Sequence, residues 1–454
     1  MAKYDYNNVV HPVFIEKVGG ILPAHAQNYN VTQINSSNKT FSFIVENEEY
    51  PIDLFDAELL ITATLKLSKN GGALPDNVNS VLINNFYPAL FSQAKLEIAG
   101  EPVEDIQNVF YSSTMLKYCI KSKDYQISKG QIEAWVPDGE VTNTTVNNIG
   151  REERKKLYKY NDNKTFKFSF KLSDIFGFCR DYRKPLTATK FKITFQRGDV
   201  DENNKFVFHT AEGQAIAAVE ANPAAVPPVA GSAAISHESG HIQLDEIELS
   251  LPYNQLNTEA NTDFLKQFNS DKEIDLLFDP NTCQTGNTSN TTGEHTIEIM
   301  KSSQPVSGVL ICFTGNQMNT YKENGGVFTL NEITEFQLTI GTHKFPHDKP
   351  ILIDTGNGFV HELYKLYCEF CLSYGHEPQM NYLEYKANPF IAIRTTKQQR
   401  NLISDGATIY MKFKKSGTTV YTWYALVLEN TWFKAKLKSN GMSDFRKLSW
   451  NKKL

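Results

Sequence analysis

Long apolar runs are missing from this 454-residue sequence. Val309-Leu310-Ile311-Cys312-Phe313 is a dense one, yet it falls far short of the roughly 20 residues that a membrane-spanning helix needs. No apolar run follows Met1-Ala2-Lys3-Tyr4-Asp5, so neither a secretory signal nor a transmembrane segment is expected. Cysteine is scarce: six in all, with only Cys368 and Cys371 close together. That excludes a disulfide-dense scaffold and makes reduced thiols inside a cell the expectation. On the same ground, sequons such as Asn30-Val31-Thr32 and Asn143-Thr144-Thr145 are expected to stay unmodified. Charge of one sign is also lacking. The net of −5 does not describe a nucleic-acid binder, which would carry a strongly basic domain.

Helical periodicity is sparse as well, and what fills the chain is alternation. Phe166-Lys167-Phe168-Ser169-Phe170-Lys171-Leu172 places rings on one side and polar groups on the other. Phe191-Lys192-Ile193-Thr194-Phe195, Ile247-Glu248-Leu249-Ser250-Leu251 and Ile409-Tyr410-Met411-Lys412-Phe413-Lys414 do the same. Each predicts a strand with one buried face. Longer strands are predicted over 59–67 and 421–433. The 29 Phe and 21 Tyr suit a pleated sheet, where flat rings pack well. Helices are predicted over 359–371 and 109–119, and the charged stretch 151–156 reads as a solvated helix face. Many strands, few helices and many turn residues describe an all-β protein of sandwiches or barrels.

Between Ala211 and Ser236 the chain is rich in Ala, Pro and Gly and nearly uncharged, as in a linker or a long exposed loop. Its central position divides the chain into 1–236 and 237–454, with further inserted sequence over 121–161. The two parts echo one another. A strand and turn at Leu96-Glu97-Ile98-Ala99-Gly100 precedes a helix ending Leu116-Lys117-Tyr118-Cys119. Leu338-Thr339-Ile340-Gly341 likewise precedes a helix ending Lys365-Leu366-Tyr367-Cys368. The similar offsets suggest a duplicated domain.

Candidate chemistry is thin. His237-Glu238-Ser239-Gly240-His241 fits the zinc-protease pattern, but that chemistry needs both imidazoles on one helix face. Ser239 and Gly240 are poor helix formers, and a strand is predicted directly afterwards. Cys368-Glu369-Phe370-Cys371 has no second close pair to complete a four-cysteine site, so core thiols are expected. His343 and His347 flank a turn without the His-x-His of a cupin-like centre. No catalytic, cofactor-binding or metal residues are assigned, and no cofactor is expected. The C-terminus is mildly basic, with Lys434, Lys436, Lys438, Arg446, Lys447, Lys452 and Lys453 against Asp444. This describes either a solvated strand edge or a weak contact with nucleic acid or another subunit.

Four blocks in order resemble the major capsid proteins of Polinton (Maverick) elements and adintoviruses. They are Asn84-Asn85-Phe86 with Leu90-Phe91-Ser92-Gln93, within 83–100; Leu172-Ser173-Asp174-Ile175-Phe176 with Pro185-Leu186 and 191–197; the strand 242–253, taken as opening the second part; and 305–313, running through Asn324 and Phe328 to Gly341 and Pro346. The resemblance covers about residues 80–370. It implies two tandem eight-stranded jelly rolls with a few short helices and long inserted loops, some on an outer tower or in trimer contacts. It further implies a structural, non-enzymatic role in the virion. Three chains would form a capsomer with pseudo-six-fold outline, tiling an icosahedral DNA-virus shell beside neighbouring capsomers and penton or minor capsid proteins. The competing expectation is a two-domain jelly-roll carbohydrate binder or glycan hydrolase, marked by aromatic platforms beside clustered carboxylates.

Overall fold

The computed structural model describes residues 40–45, 52–67, 80–138, 149–157, 165–183, 186, 189–198, 207–209, 240–252, 273–315, 324–346, 349–354, 360–395, 407–438 and 441–448. The strands of its first half are β1 (Thr40–Val45), β2 (Glu58–Leu67), β3 (Ser80–Leu82), β4 (Phe91–Ile98), β5 (Glu101–Gln107), β6 (Thr165–Lys171), β7 (Phe191–Arg197), β8 (Val207–His209) and β9 (Gly240–Ser250). Those of the second are β10 (Glu273–Phe278), β11 (Asn281–Asn287), β12 (Gly293–Ser302), β13 (Val306–Thr314), β14 (Ile333–Ile340), β15 (His343–Phe345), β16 (Ile351–Leu352), β17 (Ile391–Arg394), β18 (Ala407–Lys415), β19 (Thr422–Glu429), β20 (Thr431–Lys438) and β21 (Gly441–Leu448). The α-helices are α1 (Phe86–Ala89), α2 (Val109–Ile120), α3 (Lys129–Ile132), α4 (Ile149–Leu157), α5 (Gly177–Asp181), α6 (His361–Ser373) and α7 (Tyr382–Ala387).

The second half contains two antiparallel sheets, ordered β11-β19-β13-β17 and β12-β18-β14-β15. The first half repeats both, as β9-β2-β6 and β1-β7-β4-β5. No counterpart of β11 lies among the described residues. Each half is a jelly roll, with strands alternating between two sheets as the chain proceeds. In both halves the hairpin before the main helix turns through positive φ, at Ala99 and Gly100 and again at Gly341. Consecutive positive φ values at Ala99 and Gly100 give a two-residue turn whose twist matches the flanking strands.

Alternation in sequence becomes alternation in burial. Phe41, Phe43 and Val45 of β1 and Phe166, Phe168 and Phe170 of β6 are buried, while their neighbours point outward. Phe170 meets Phe195 of the opposite sheet edge-to-face at 6.5 Å, and Phe313 meets Phe413 across the second barrel at 5.7 Å. Each pair bridges the two sheets of one barrel, so the core lies between them. β13 departs from alternation, being buried over Gly308–Thr314 on both faces. One face looks into its barrel and the other is covered by α2, which explains the dense run 309–313.

Four expectations require correction or refinement. The strand predicted over 421–433 is two strands, because the chain leaves one sheet at Asn430 and enters the separate sheet β10-β20-β21. The charged helix at 151–156 is not merely a solvated face. Arg154 is fully buried, its Nε donating to the Leu82 carbonyl at 2.8 Å and its Nη atoms binding the Val136 carbonyl and Asp138. The excursion over 121–161 docks, in its described parts, on the first half through Arg154 and the buried Trp135. Finally, the strand around 242–253 is β9, which pairs with β2 from Glu58↔Ser250 to Leu67↔Gly240 and completes a sheet of the first half. The linker-like stretch 211–236 lies outside the described residues.

Candidate functional site

The residues singled out by sequence do not converge. Gly240 and His241 lie in β9 opposite Leu67 and Lys66, in extended rather than helical backbone, and 237–239 lie outside the described residues. His343 is in β15, and His347 lies outside the described residues. Cys368 is half-buried and Cys371 buried in α6; both are free thiols, and burial pushes Cys368 above its ordinary value. Among the described residues, no group of His, Cys, Asp and Glu is arranged to hold a metal ion, and no helix is long and apolar enough to cross a membrane.

The C-terminal basic residues are divided between a central strand and an edge strand, for Arg446 and Lys447 are exposed on β21, at the edge of its sheet. Lys434 and Lys436 lie on β20, the central strand of its sheet. Glu273 of β10 pairs with Lys434 and with Arg446 of β21, each at 3.2 Å. Lys447 is exposed, and Lys452 and Lys453 lie outside the described residues.

What the fold does bring together is the junction between the halves, built on α2. Its sequence, VFYSSTMLKYCI, is apolar on most sides, and every residue except Ile120 is buried. A helix of that kind belongs in a core. Here it leaves β5 of the first half and packs against β11, β13 and β19 of the second. Tyr111 stacks on Tyr424 with centroids 3.7 Å apart. Tyr118 packs on Phe390 at 6.0 Å, and its carbonyl accepts a hydrogen bond from Tyr367 Oη at 2.8 Å. Cys119 is buried beside Cys371, and burial raises its thiol well above the ordinary value.

A polar clamp fixes the other side of the junction. The Glu104 carboxylate accepts from the backbone N–H groups of Gly177 at 3.0 Å, Phe178 at 2.5 Å and Asn281 at 3.1 Å. One side chain of β5 thereby holds the start of α5 and the start of β11. Burial pushes Glu104 up to about 7, against the pull of these donors and of Arg180. Arg180 donates to the Asp279 carbonyl at 2.8 Å and Asn281 Oδ1 at 3.1 Å. Asp279 accepts from Ser307 Oγ at 2.9 Å; burial, then neighbouring Asp181, push it up to about 6. The chains approach so closely here that a Cβ on Gly177 would stand 1.9 Å from the Asp279 carbonyl oxygen. Phe178 of α5 adds an apolar bond, meeting Phe278 at 5.2 Å and Phe445 at 6.4 Å.

A second ionic cluster lies inside the first half. Lys117 of α2 is fully buried, with Nζ 3.0 Å from both Glu133 Oε2 and Asp174 Oδ2 and bonded to the Tyr87 hydroxyl. Lys121 Nζ lies 2.7 Å from Asp174 Oδ1. Burial opposes ionisation of Asp174, but Lys117 and Lys121 overcome it and hold the carboxyl well below the usual range. Glu133, which Tyr125 also binds, is pushed up to about 7, first by burial and then by Asp174.

None of these clamp residues was assigned from sequence. Glu104, Arg180, Asp279 and Asn281 are far apart in the chain and share no motif. The one local signal was Lys117, a lone charge within an apolar helix. An open groove of about 290 Å³ on the outer face of the first half is lined by Thr40, Gln93, Lys95, Glu97, Lys192, Thr194 and Gln196. It contains no aromatic platform of the kind a carbohydrate site would offer.

No protein-family model matches the sequence, and no curated protein is similar to it. Solved structures are similar in fold. A chain of the Sputnik virophage, determined by cryo-EM, superposes with a TM-score of 0.57 at 10% identity over 91% of this chain and 86% of that chain. The chain has the double jelly-roll fold. The Faustovirus major capsid protein gives 0.48 at 9% identity over 87% of both chains. The mavirus major capsid protein gives 0.47 at 9% identity over 90% of this chain and 86% of that one. At these identities the likeness is one of fold.

Proposed function

We propose that this chain is the major capsid protein of an icosahedral DNA virus or virophage, acting structurally and without catalysis. The observation that carries this reading is a repeated jelly-roll topology locked by a buried junction, superposable on a virophage chain over nearly its whole length. Two similar barrels in one rigid chain allow three copies to present six similar corners, which suits closed symmetric assembly. The four sequence blocks support placement with the Polinton (Maverick) and adintovirus group.

Two jelly-roll units are proposed, divided after Pro252 rather than between 236 and 237, because β9 hydrogen-bonds with β2. The assembly partners would be further copies of the chain and penton or minor capsid proteins, in a virion. Genome contact, if made by the C-terminus, would rest on its basic residues other than Lys434 and Arg446, which Glu273 already binds.

Negative-stain electron microscopy of the purified full chain tests the assembly. Triangular or hexagonal capsomers, or closed shells, are expected. Isolated single-chain particles at high protein concentration would overturn the reading.

A further inference from the structure

We propose that copies of this chain join head to tail through two corresponding connections, that between β5 and β6 of one copy and that between β15 and β17 of the next. This contact rests on the shell reading above and deepens it by naming the surfaces that meet. In the repeated sheets β5 takes the place of β15 and β6 that of β17, so the two connections are equivalent in the two halves. Both are helical, with α2 and α3 on the first and α6 and α7 on the second.

Apolar exposure is concentrated there. Among the described residues, the large apolar side chains that are more than half exposed are Ile127, Ile132, Leu352, Leu372 and Leu383. The first two lie on the β5–β6 connection and the other three on the β15–β17 connection. Scattered over a surface, such residues are ordinary; gathered on two corresponding segments, they mark places of contact. On α6, Leu372 ends an exposed stripe that runs through Glu362, Lys365 and Glu369, the face turned away from its own barrel.

The charges beside the two groups are opposite in sign. In 121–132, which carries Ile127 and Ile132, the exposed charges are Lys123 and Lys129 against Asp124 alone. In 361–388, which carries Leu372 and Leu383, they are Glu362, Glu369 and Glu377 against Lys365 alone. Each surface is therefore matched to the other and not to a copy of itself. Within one chain the two connections already meet, as Gln379 Nε2 donates to the Ser122 carbonyl at 3.3 Å. The five apolar side chains stay exposed after that contact is made, so it is a further copy that they can receive. A contact between unlike surfaces is heterologous, and such contacts close into a ring when the rotation fits. Three copies closed in this way are the building block that the shell reading requires.

Light scattering of the full chain and its variants tests the contact. The wild type is expected at about 154 kDa, three times 51.4 kDa. Ile127→Glu with Ile132→Glu, and separately Leu372→Glu with Leu383→Glu, should each give 51.4 kDa monomers at the concentration where the wild type is a trimer. Their circular dichroism should be unchanged, because all four side chains are exposed. If a glutamate pair loses that spectrum, serine at the same two positions is read instead, with the same dispersal expected. Val420→Glu, also exposed but outside both connections, is the control and should leave the trimer intact. A trimer that survives either folded double variant, or that Val420→Glu disperses as well, would overturn this contact and leave the shell reading standing. A wild-type monomer would defeat the shell reading and the contact with it.

Discussion

The Tyr367 hydroxyl donates to the Tyr118 carbonyl at 2.8 Å, and these tyrosines occupy matching places in the helices that follow the repeated hairpins of the two halves. The echo between the halves is therefore a physical contact. Equivalent helices meet at the junction, so each barrel is built against a copy of its own supporting element.

Tyr367→Phe should expose the importance of that contact. The same hydroxyl accepts from the N–H groups of Gln379 at 3.1 Å and Met380 at 3.2 Å. Removing it deprives three buried backbone groups of a partner, so a loss of about 3 kcal/mol is expected. The shift of the denaturant midpoint measures it, and an unchanged midpoint would contradict the role assigned to the junction.

Tyr111→Ala removes the ring stacked on Tyr424. Truncating a buried aromatic costs roughly 3–5 kcal/mol. Because this ring joins the halves, unfolding should also become less cooperative, with separate calorimetric transitions for the two barrels. A single transition with a wild-type midpoint would refute the role of α2 at the junction.

Gly177→Ala forces a methyl against the Asp279 carbonyl oxygen, where only 1.9 Å is available. Overpacking of this kind costs about 1–3 kcal/mol or more. Gly100→Ala is the comparison: φ is +84° but nothing lies within 4 Å, so only local backbone strain of about 1–2 kcal/mol applies. Gly177→Ala should therefore unfold at clearly lower temperature than Gly100→Ala.

Acidity should stabilise the polar clamp. Burial raises Glu104 from an ordinary 4.5 to about 7 and Asp279 from 3.8 to about 6. The folded state then holds these protons more tightly than the unfolded chain. Their contribution is fully present below the ordinary values and is lost as pH rises through the raised ones. Glu104→Gln should flatten the fall in melting temperature between pH 4.5 and 7. An unaltered slope would show that Glu104 does not titrate there.

Strands with one wet face were legible because burial imposes a period of two. The stretches at 191–195 and 409–414 lie within β7 and β18, and 166–172 overruns β6 by one residue. The break at Asn430 was not legible, since β19 is buried on both faces and merges by pattern into β20. Pairing was hidden too: nothing local reveals that β9 joins β2, far back in the chain. The helices were visible as patterns, but Arg154 shows why a charged helix need not be solvated. Besides Asp138, its partners are carbonyls at Leu82 and Val136, which carry no signature in sequence. The Glu104 clamp was invisible for the same reason, as its partners are backbone N–H groups.

The mass of the purified protein in solution, by light scattering after size exclusion, bears most directly on the central claim. Three chains of 51.4 kDa give about 154 kDa, the closed symmetric unit expected of a shell building block. A stable species at that mass, or larger particles built from it, is the predicted result. A 51.4 kDa monomer that persists at high concentration would contradict the account.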